Sequence, residues 1–241
     1  MQTGLYVALS AQLALQKRLD TIAANVANAG TVGYRAEEVK FETFLSQAGA
    51  DPVAFASTGE TFVSRKAGEL VKTDNPLDVA VRGDAWIAIS TPAGTVYTRD
   101  GRMRMVDSGE LQTLNGYAVL DAGGAPVLLD PAAGPPQIAT DGMISQGKRQ
   151  LGAIGLFRID ERAKLARFEN SGVIPDRQAE PVLDFATEGV VQGFVERANV
   201  NPVLEMAHLI MVTRAFESVT ATINESEASQ RNAIKDLGTG S

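Results

Sequence analysis

Residues 5–30 read LYVALSAQLALQKRLDTIAANVANAG. Within them Leu5, Ala8, Leu15, Leu19, Ile22 and Val26 fall on alternating steps of three and four, and Gln12 is the one polar residue on that seam. Such spacing puts the side chains on one stripe of a helix, and a stripe of that kind has to meet a partner helix. Asn28-Ala29-Gly30 is the expected stop, because glycine takes the left-handed conformation that closes a helix.

The same rhythm returns at the other end of the chain. Asn201-Pro202 predicts a helix start: the Asn side chain caps free N–H groups and Pro suits the first helical position. Leu209, Val212, Phe216, Val219 and Ile223 then form a second seam. Leu204, Met206, Ile210 and Met211 lie off it, so the first turns are apolar nearly all round and want more than one neighbour. The final turns, with Ser226, Glu227, Ser229, Gln230 and Arg231, are polar.

Between the two helices the character changes. Trp86-Ile87-Ala88-Ile89, Val96-Tyr97-Thr98, Met103-Arg104-Met105, Tyr117-Ala118-Val119-Leu120 and Val127-Leu128-Leu129 read as strands. Asp100-Gly101, Ser108-Gly109, Asn115-Gly116 and Gly123-Gly124 separate them, and such pairs supply the positive φ angles of tight turns. Residues 154–159 and 165–168 are expected to pair as a further hairpin. Local connections of this kind make the region largely antiparallel.

The expected fold class is therefore α+β. N- and C-terminal helices, residues 1–34 and 199–241, pair as a coiled-coil-like helical domain into which an all-β, mainly antiparallel domain, residues 68–198, is inserted. Residues 35–67 are a connector in which Val39, Phe41, Phe44 and Leu45 form a hairpin or a short helix. The simplest arrangement of the two seams is an antiparallel pair. Met206, Ile210 and Met211 would then stay exposed in a single copy, which marks an interaction surface. Packing completed among copies, head to tail and without closure, yields a filament. Periodicity alone leaves open the plainer reading, a helical hairpin buried against its own β domain.

Composition removes several function classes. The net charge of −7, with no local Lys/Arg cluster, argues against nucleic acid. The chain has no cysteine, which excludes disulfides, thiolate metal sites and Cys nucleophiles. Residues 5–9 resemble the apolar part of a signal peptide, but the basic residues Lys17-Arg18 follow that run where a signal needs them to precede it. Nothing approaches the ~20 apolar residues of a membrane span. His208 is the single histidine and stands among apolar helix residues, which reads as packing; a metal site needs several converging ligands. Asp74, Asp78 and Asp84 lack the spacing of a calcium loop and read as turn residues. No P-loop, GxGxxG, GxSxG or HExxH occurs. No cofactor, metal or small-molecule substrate is expected, and no enzyme. A secreted adhesin or carbohydrate-binding module would use Trp86, Tyr97 or Tyr117, but Trp86 reads as core and both terminal helices would be left unexplained.

The segment 24–35, ANVANAGTVGYR, resembles the ANxAN-x-x-T-x-GY-[KR] signature that follows the first helix of flagellar rod and hook proteins. Ala24, Asn25, Asn28, Thr31, Gly33, Tyr34 and Arg35 carry the match. Residues 68–84, GELVKTDNPLDVAVRGD, are similar to the family's G-x-L-x-x-T-x-N-x-LDVA-x-x-G-[DN] stretch through Leu77, Asp78 and Gly83. Tyr97-Thr98-Arg99-Asp100-Gly101 and residues 111–117, LQTLNGY, match its following elements. Val195-Glu196-Arg197-Ala198-Asn199-Val200-Asn201-Pro202 is similar to the E-x-SNV-[DN] lead into the last helix, and Glu205-Met206 and Arg214-Ala215-Phe216-Glu217 to the elements beyond. The chain departs from the pattern at Ala85-Trp86-Ile87, where GFF is common, at Ala198 for the usual Ser, and at Phe216, where the distal-rod branch more often has Tyr. With the modest length, this places it nearer the proximal-rod branch than the distal one.

The resemblance implies a structural subunit of the basal-body rod within the periplasm, with terminal helices forming the inner wall and poorly ordered before assembly. It implies itself and other proximal and distal rod subunits as partners, and export by the flagellar type III apparatus without a cleaved signal. On that reading Leu5, Leu15, Leu19, Ile22 and Val26 pack with Leu209, Val212, Phe216, Val219 and Ile223, within and between subunits.

Overall fold

The computed structural model describes residues 2–46, 53–57 and 59–239. The chain divides into two compact units, one of Met1–Ala27, Glu37–Phe62 and Asn201–Ser241, the other of Asn28–Ala36 and Val63–Val200.

In the first unit, helix α1 (Gln2–Ala27) packs along helix α2 (Pro202–Thr239). Their seams are the ones spaced by threes and fours. Ile22 and Val212 are each 5% exposed, and Leu5, Leu15, Leu19, Val26, Leu209, Phe216, Val219 and Ile223 are half-buried. Gln12 does not interrupt the seam, because its Nε2 donates to Thr220 Oγ1 at 3.1 Å. Asn201 caps α2 with its Oδ1, which accepts from the N–H groups of Val203 and Leu204, each at 3.1 Å. α2 has 38 residues against 26 in α1, so about three turns of α2 have no α1 beside them.

The end of α1 differs from expectation. Gly30 is not left-handed; that conformation falls on Gly33, with φ 69°. The helix stops instead in a turn in which Thr31 donates its N–H to the Asn28 carbonyl at 2.9 Å and its hydroxyl to Asn28 Oδ1 at 3.2 Å. A side-chain bond of this kind offers the backbone an alternative to another helical turn. Of the two forms expected for 35–67, the hairpin is found. Thr43–Ser46 pairs antiparallel with Val53–Ala56, placing Phe44 opposite Phe55, and Glu37–Lys40 pairs with Glu60–Val63. Val53–Ala56 and Glu37–Lys40 lie against α1.

The second unit is built on a nine-stranded sheet. Its main path runs Leu165–Phe168, Gly172–Pro175, Gly94–Thr98, Trp86–Thr91, Ala118–Val119, Leu111–Thr113, Met103–Met105. Leu156–Arg158 joins Trp86–Thr91 and carries Glu180–Pro181. All of these pairings are antiparallel. Trp86–Thr91 is buried on both faces, which is why WIAI is continuously apolar: Ile87 and Ile89 enter one core with Val96, Leu111, Val119 and Leu156, and Trp86 and Ala88 enter another with Tyr97, Phe157 and Val173. A smaller sheet of Gln137–Ile138, Met143–Gln146 and Arg149–Ala153 and the pairs Val79–Arg82 with Gly189–Gln192 and Leu70–Lys72 with Phe194–Glu196 complete the unit.

Two expected elements are corrected. Residues 154–159 and 165–168 do not form a hairpin with each other. Leu165–Phe168 turns back on Gly172–Pro175, while Leu156–Arg158 crosses to Trp86–Thr91. The turn at 169–171 is tight enough for Gly172, whose missing Cβ would lie 2.8 Å from Val96 Cγ1 and from the Phe168 carbonyl. Residues 127–129 are not a strand but hold a single bridge, Glu110 to Leu128. No described helix is long and apolar enough to cross a membrane.

Candidate functional site

Five separated segments of the second unit close on one buried ion cluster. Glu196, at 1% exposure, accepts from Gly68 N–H at 2.8 Å and lies 2.7 Å from Arg35 Nη2 through Oε1. Its Oε2 accepts from Arg99 Nη1 at 3.2 Å. Both guanidiniums stand over the Trp86 ring, Arg35 at 5.7 Å and Arg99 at 5.3 Å from its centroid, within cation–π range. Arg99 is pinned further by the carbonyls of Val81 and Gly83, at 3.1 and 2.6 Å. Burial lowers the Arg35 pKa to about 10, with Arg99 pushing the same way and Glu196 and Asp84 opposing. Burial likewise lowers that of Arg99, against Glu196, Asp84 and Glu188. Taking charges out of water is costly unless they are paired, so this cluster persists only because the carboxylate serves both cations.

The motif residues build the frame of that cluster. Gly33 donates to the Glu196 carbonyl at 2.7 Å. A Cβ at Gly33 would stand 2.2 Å from Asp100 N, so two backbones meet there with no room for a side chain. Tyr34 is buried, with Arg167 stacked 4.4 Å from its ring centroid. Asn199 works as a staple: its N–H donates to Tyr34 O, its Oδ1 accepts from Ala36 N at 2.6 Å, and its Nδ2 donates to Lys66 O at 2.8 Å. Gly83, left-handed at φ 84°, offers its carbonyl to Arg99 and leaves space for Glu188, which caps Ala85 N–H at 2.9 Å. Asp78 is buried and accepts from Asn75 Nδ2 at 2.9 Å, while Leu77 packs against the larger core.

Two motif residues act on the helical unit. Asn25 pairs with the backbone of Glu37 in both directions, accepting at 2.8 Å and donating at 2.9 Å, so that a helix side chain imitates a neighbouring strand. Ala24 is half-buried beside it. Sequence reasoning quoted Arg99 and Glu196 inside matching segments but did not single them out; neither did it mark Trp86 as their partner or Arg167 as the cover on Tyr34. Charged residues within an otherwise apolar strand lead were the available signal.

A cleft of about 600 Å3 opens beside the cluster, lined by Arg65, Asp84, Trp86, Arg99, Arg158, Ile159, Asp160, Glu161 and Glu188, none of them a hydroxyl, thiol or imidazole. Two of its carboxylates are engaged by arginines, Glu188 by Arg158 at 3.4 Å and Asp160 by Arg177 at 3.0 Å. Arg65 holds the carbonyls of Ile159, Asp160 and Ala163. Trp86 is 3% exposed, and so presents no platform for a sugar. Among the described residues no group of His, Cys, Asp and Glu is placed to hold a metal ion. The exposed large apolar residues include Tyr6, Leu9 and Leu13 on α1, and Val203, Leu204, Met206, Ile210 and Met211 on α2.

Known proteins match along the same segments. The family described as Flagella basal body rod protein matches residues 5–35, the Flagellar hook protein FlgE/F/G D1 domain matches 80–146, and the Flagellar basal body rod FlgEFG protein C-terminal matches 191–235. The chain is 55% identical over 241 residues to the flagellar basal-body rod protein FlgF of Mesorhizobium japonicum, covering 100% of both chains. The chain belongs to the flagellar basal-body rod protein family. The FlgF of Rhizobium meliloti is 50% identical over 99% of each chain, and the FlgG of Bacillus subtilis 29% identical over 94% of this chain and 96% of its own. For a structural rod-family protein, apolar residues on the exterior of the helices are what assembly requires, since the contacts that matter are made with neighbours.

Proposed function

We propose that this chain is a structural, non-catalytic subunit of the proximal flagellar rod, joined to copies of itself and to other rod subunits in a tube that carries torque across the periplasm. The observation that carries this reading is the run of exposed apolar residues on the first turns of α2, Val203, Leu204, Met206, Ile210 and Met211. An amphipathic helix of a self-contained protein turns such residues inward. The relatives named as basal-body rod proteins support a rod subunit as the neighbour that covers them.

On this proposal the division of labour follows the notional partition of the chain. Residues 1–34 and 199–241 make the assembly domain, 35–67 connect, and 68–198 form the outer body. Leu5, Leu15, Leu19, Ile22 and Val26 and, on α2, Leu209, Val212, Phe216, Val219 and Ile223 pack between subunits as well as within one. Ordering such helices only on assembly sets an entropic cost that large apolar burial offsets, which holds monomers apart until they reach the growing rod. Delivery there is by the flagellar type III export apparatus, the amino end remaining uncleaved.

The test is genetic and biochemical. In the source bacterium the gene is deleted and replaced by a tagged copy, and hook–basal bodies are purified. The expected result is loss of swimming on deletion, recovery with the tagged copy, and the intact chain, starting at its own first residues, in the purified rod fraction. Swimming without the gene, or a tagged chain absent from basal bodies of complemented cells, overturns the proposal.

A further inference from the structure

The second unit, the β unit, begins at Asn28 and ends at Val200, and its two ends are joined to each other. Gly33 N–H donates to the Glu196 carbonyl at 2.7 Å, and Asn199 N–H to the Tyr34 carbonyl at 3.3 Å. Arg35 meets Glu196 at 2.7 Å, and Asn199 Oδ1 accepts from Ala36 N–H at 2.6 Å. α1 stops at Ala27, just ahead of the first of these ends, and α2 starts at Pro202, just past the second. The chain between the helices is about 170 residues long, but the bond from Asn199 to Tyr34 leaves a path of only about ten residues from Ala27 to Pro202. The bond between Gln12 and Thr220 fits that short path. Gln12 lies about 22 Å along α1 from Ala27, and Thr220 about 27 Å along α2 from Pro202. Two helices that leave a common joint and run side by side bring residues at such matched distances together.

The helix pair itself is weakly held. Among the described residues of the two helices, only Ala14, Thr21, Ile22, Asn25 and Val212 are buried. Helices in water draw most of their stability from tertiary burial, so a pair that buries this little forms only where the partners are kept close. The chance of closing a loop falls as the −3/2 power of its length, so shortening the path from about 170 residues to about ten raises the local concentration of one helix around the other roughly 70-fold. We propose that the β unit is the device that pairs the helices: its closure at 33–36 and 196–199 comes first, and α1 and α2 come together as its consequence. A pair that buries so little returns little stability to the β unit. The inference concerns the single chain and does not depend on the rod reading. For a rod subunit it means that a chain with a closed β unit offers its neighbours a preformed helical hairpin, and one with an open β unit offers two separate tails.

The chain has no cysteine, so the thiols introduced by Gln12→Cys and Thr220→Cys are its only ones. The purified monomer of that double variant is treated with a short bifunctional maleimide in rising concentrations of free thiol. The concentration that halves the internal cross-link is the effective concentration of one helix around the other. The measurement is repeated with Glu196→Gln added, both chains standing in urea at which Trp86 fluorescence reports the parent β unit folded and the Glu196→Gln one unfolded. The expected result is an effective concentration roughly 70-fold lower in the Glu196→Gln chain, and a drop smaller than about tenfold overturns the inference. Values that stay high in both chains would mean that the helices pair without the β unit; values low in both would mean that its closure does not bring them together. Should Glu196→Gln unfold no earlier than the parent, Gly33→Ala opens the same closure, because its added carbon would stand 2.2 Å from Asp100 N. The assay uses the free chain, so its failure leaves the rod reading standing, and a tagged chain absent from basal bodies would sink the rod reading without touching this result.

Discussion

Replacing Glu196 by glutamine keeps the shape of the buried cluster and removes its only directly bonded carboxylate. Arg35 and Arg99 would then share a site over Trp86 with only the more distant Asp84 and Glu188 to balance them. The starting point is already expensive: burial lowers the Arg35 pKa to about 10, so its charged form carries a net penalty of a few kcal/mol, on the order of 1.4 kcal/mol per pKa unit. Breaking a buried pair by deleting one partner costs about 3–5 kcal/mol. For a unit of this size each kcal/mol moves the melting midpoint by about 2–4 °C, so Glu196→Gln should lower Tm by roughly 6–20 °C. The single tryptophan is Trp86, inside the cluster, so its fluorescence follows the unfolding of the β unit without a label. A loss below about 1 kcal/mol, the size of a surface pair, would refute the claim that these charges are desolvated and interdependent. The triple variant Arg35→Met, Arg99→Met, Glu196→Leu is the complementary control. Removing the whole cluster in favour of apolar groups should recover most of the loss, since buried ion pairs replaced in full are often neutral.

Gly33→Ala should destabilise the β unit by more than the ~1–2 kcal/mol of a left-handed alanine, because the added carbon meets the Arg99–Asp100 backbone; urea unfolding followed at Trp86 reads it, and a neutral result would contradict the close approach. Phe216→Asp places a charge on the α1–α2 seam and should abolish swimming while leaving the Trp86 transition where it was; normal swimming would remove the seam from the assembly argument. Burial raises the Tyr97 pKa above its ordinary 10.0. The neutral phenol thus contributes stability that is complete below pH ~10 and lost as pH climbs through the raised value. Unfolding measured at about pH 9 and pH 11 should fall more steeply in the wild type than in Tyr97→Phe, and equal slopes would deny the phenol any part in the alkaline loss.

The helices were legible because their signal is long and redundant. Seven apolar or amide positions at a fixed rhythm announce α1, and one Asn-Pro step announces the start of α2, whose cap is formed by that Asn. The longer strands of the sheet were legible for the same reason, WIAI above all. Strands of two to four residues such as Gln137–Ile138, Glu180–Pro181 and Gly189–Gln192 were not, since so short a run shows no alternation to read. Pairing was harder still. Residues 165–168 chose Gly172–Pro175 over 154–159 because of what a bare Gly172 permits against Val96, which no local pattern reveals. At the ion cluster, Gly33, Tyr34, Arg35 and Asn199 stood out in sequence, yet the carboxylate that draws them together lay unmarked in a strand lead, 161 positions from Arg35 along the chain.

Asn199 and Glu196 have a mechanical consequence. Hydrophobic contacts are non-directional, so packed surfaces slide over one another under shear with little resistance until area is lost. Three strands of chain bolted by an amide at 2.6 and 2.8 Å, next to a carboxylate clamped between two guanidiniums, admit no such creep. In a shaft that is twisted, the first contacts to yield would then be the greasy ones between helices, and the bolted segments of each β unit would behave as a rivet.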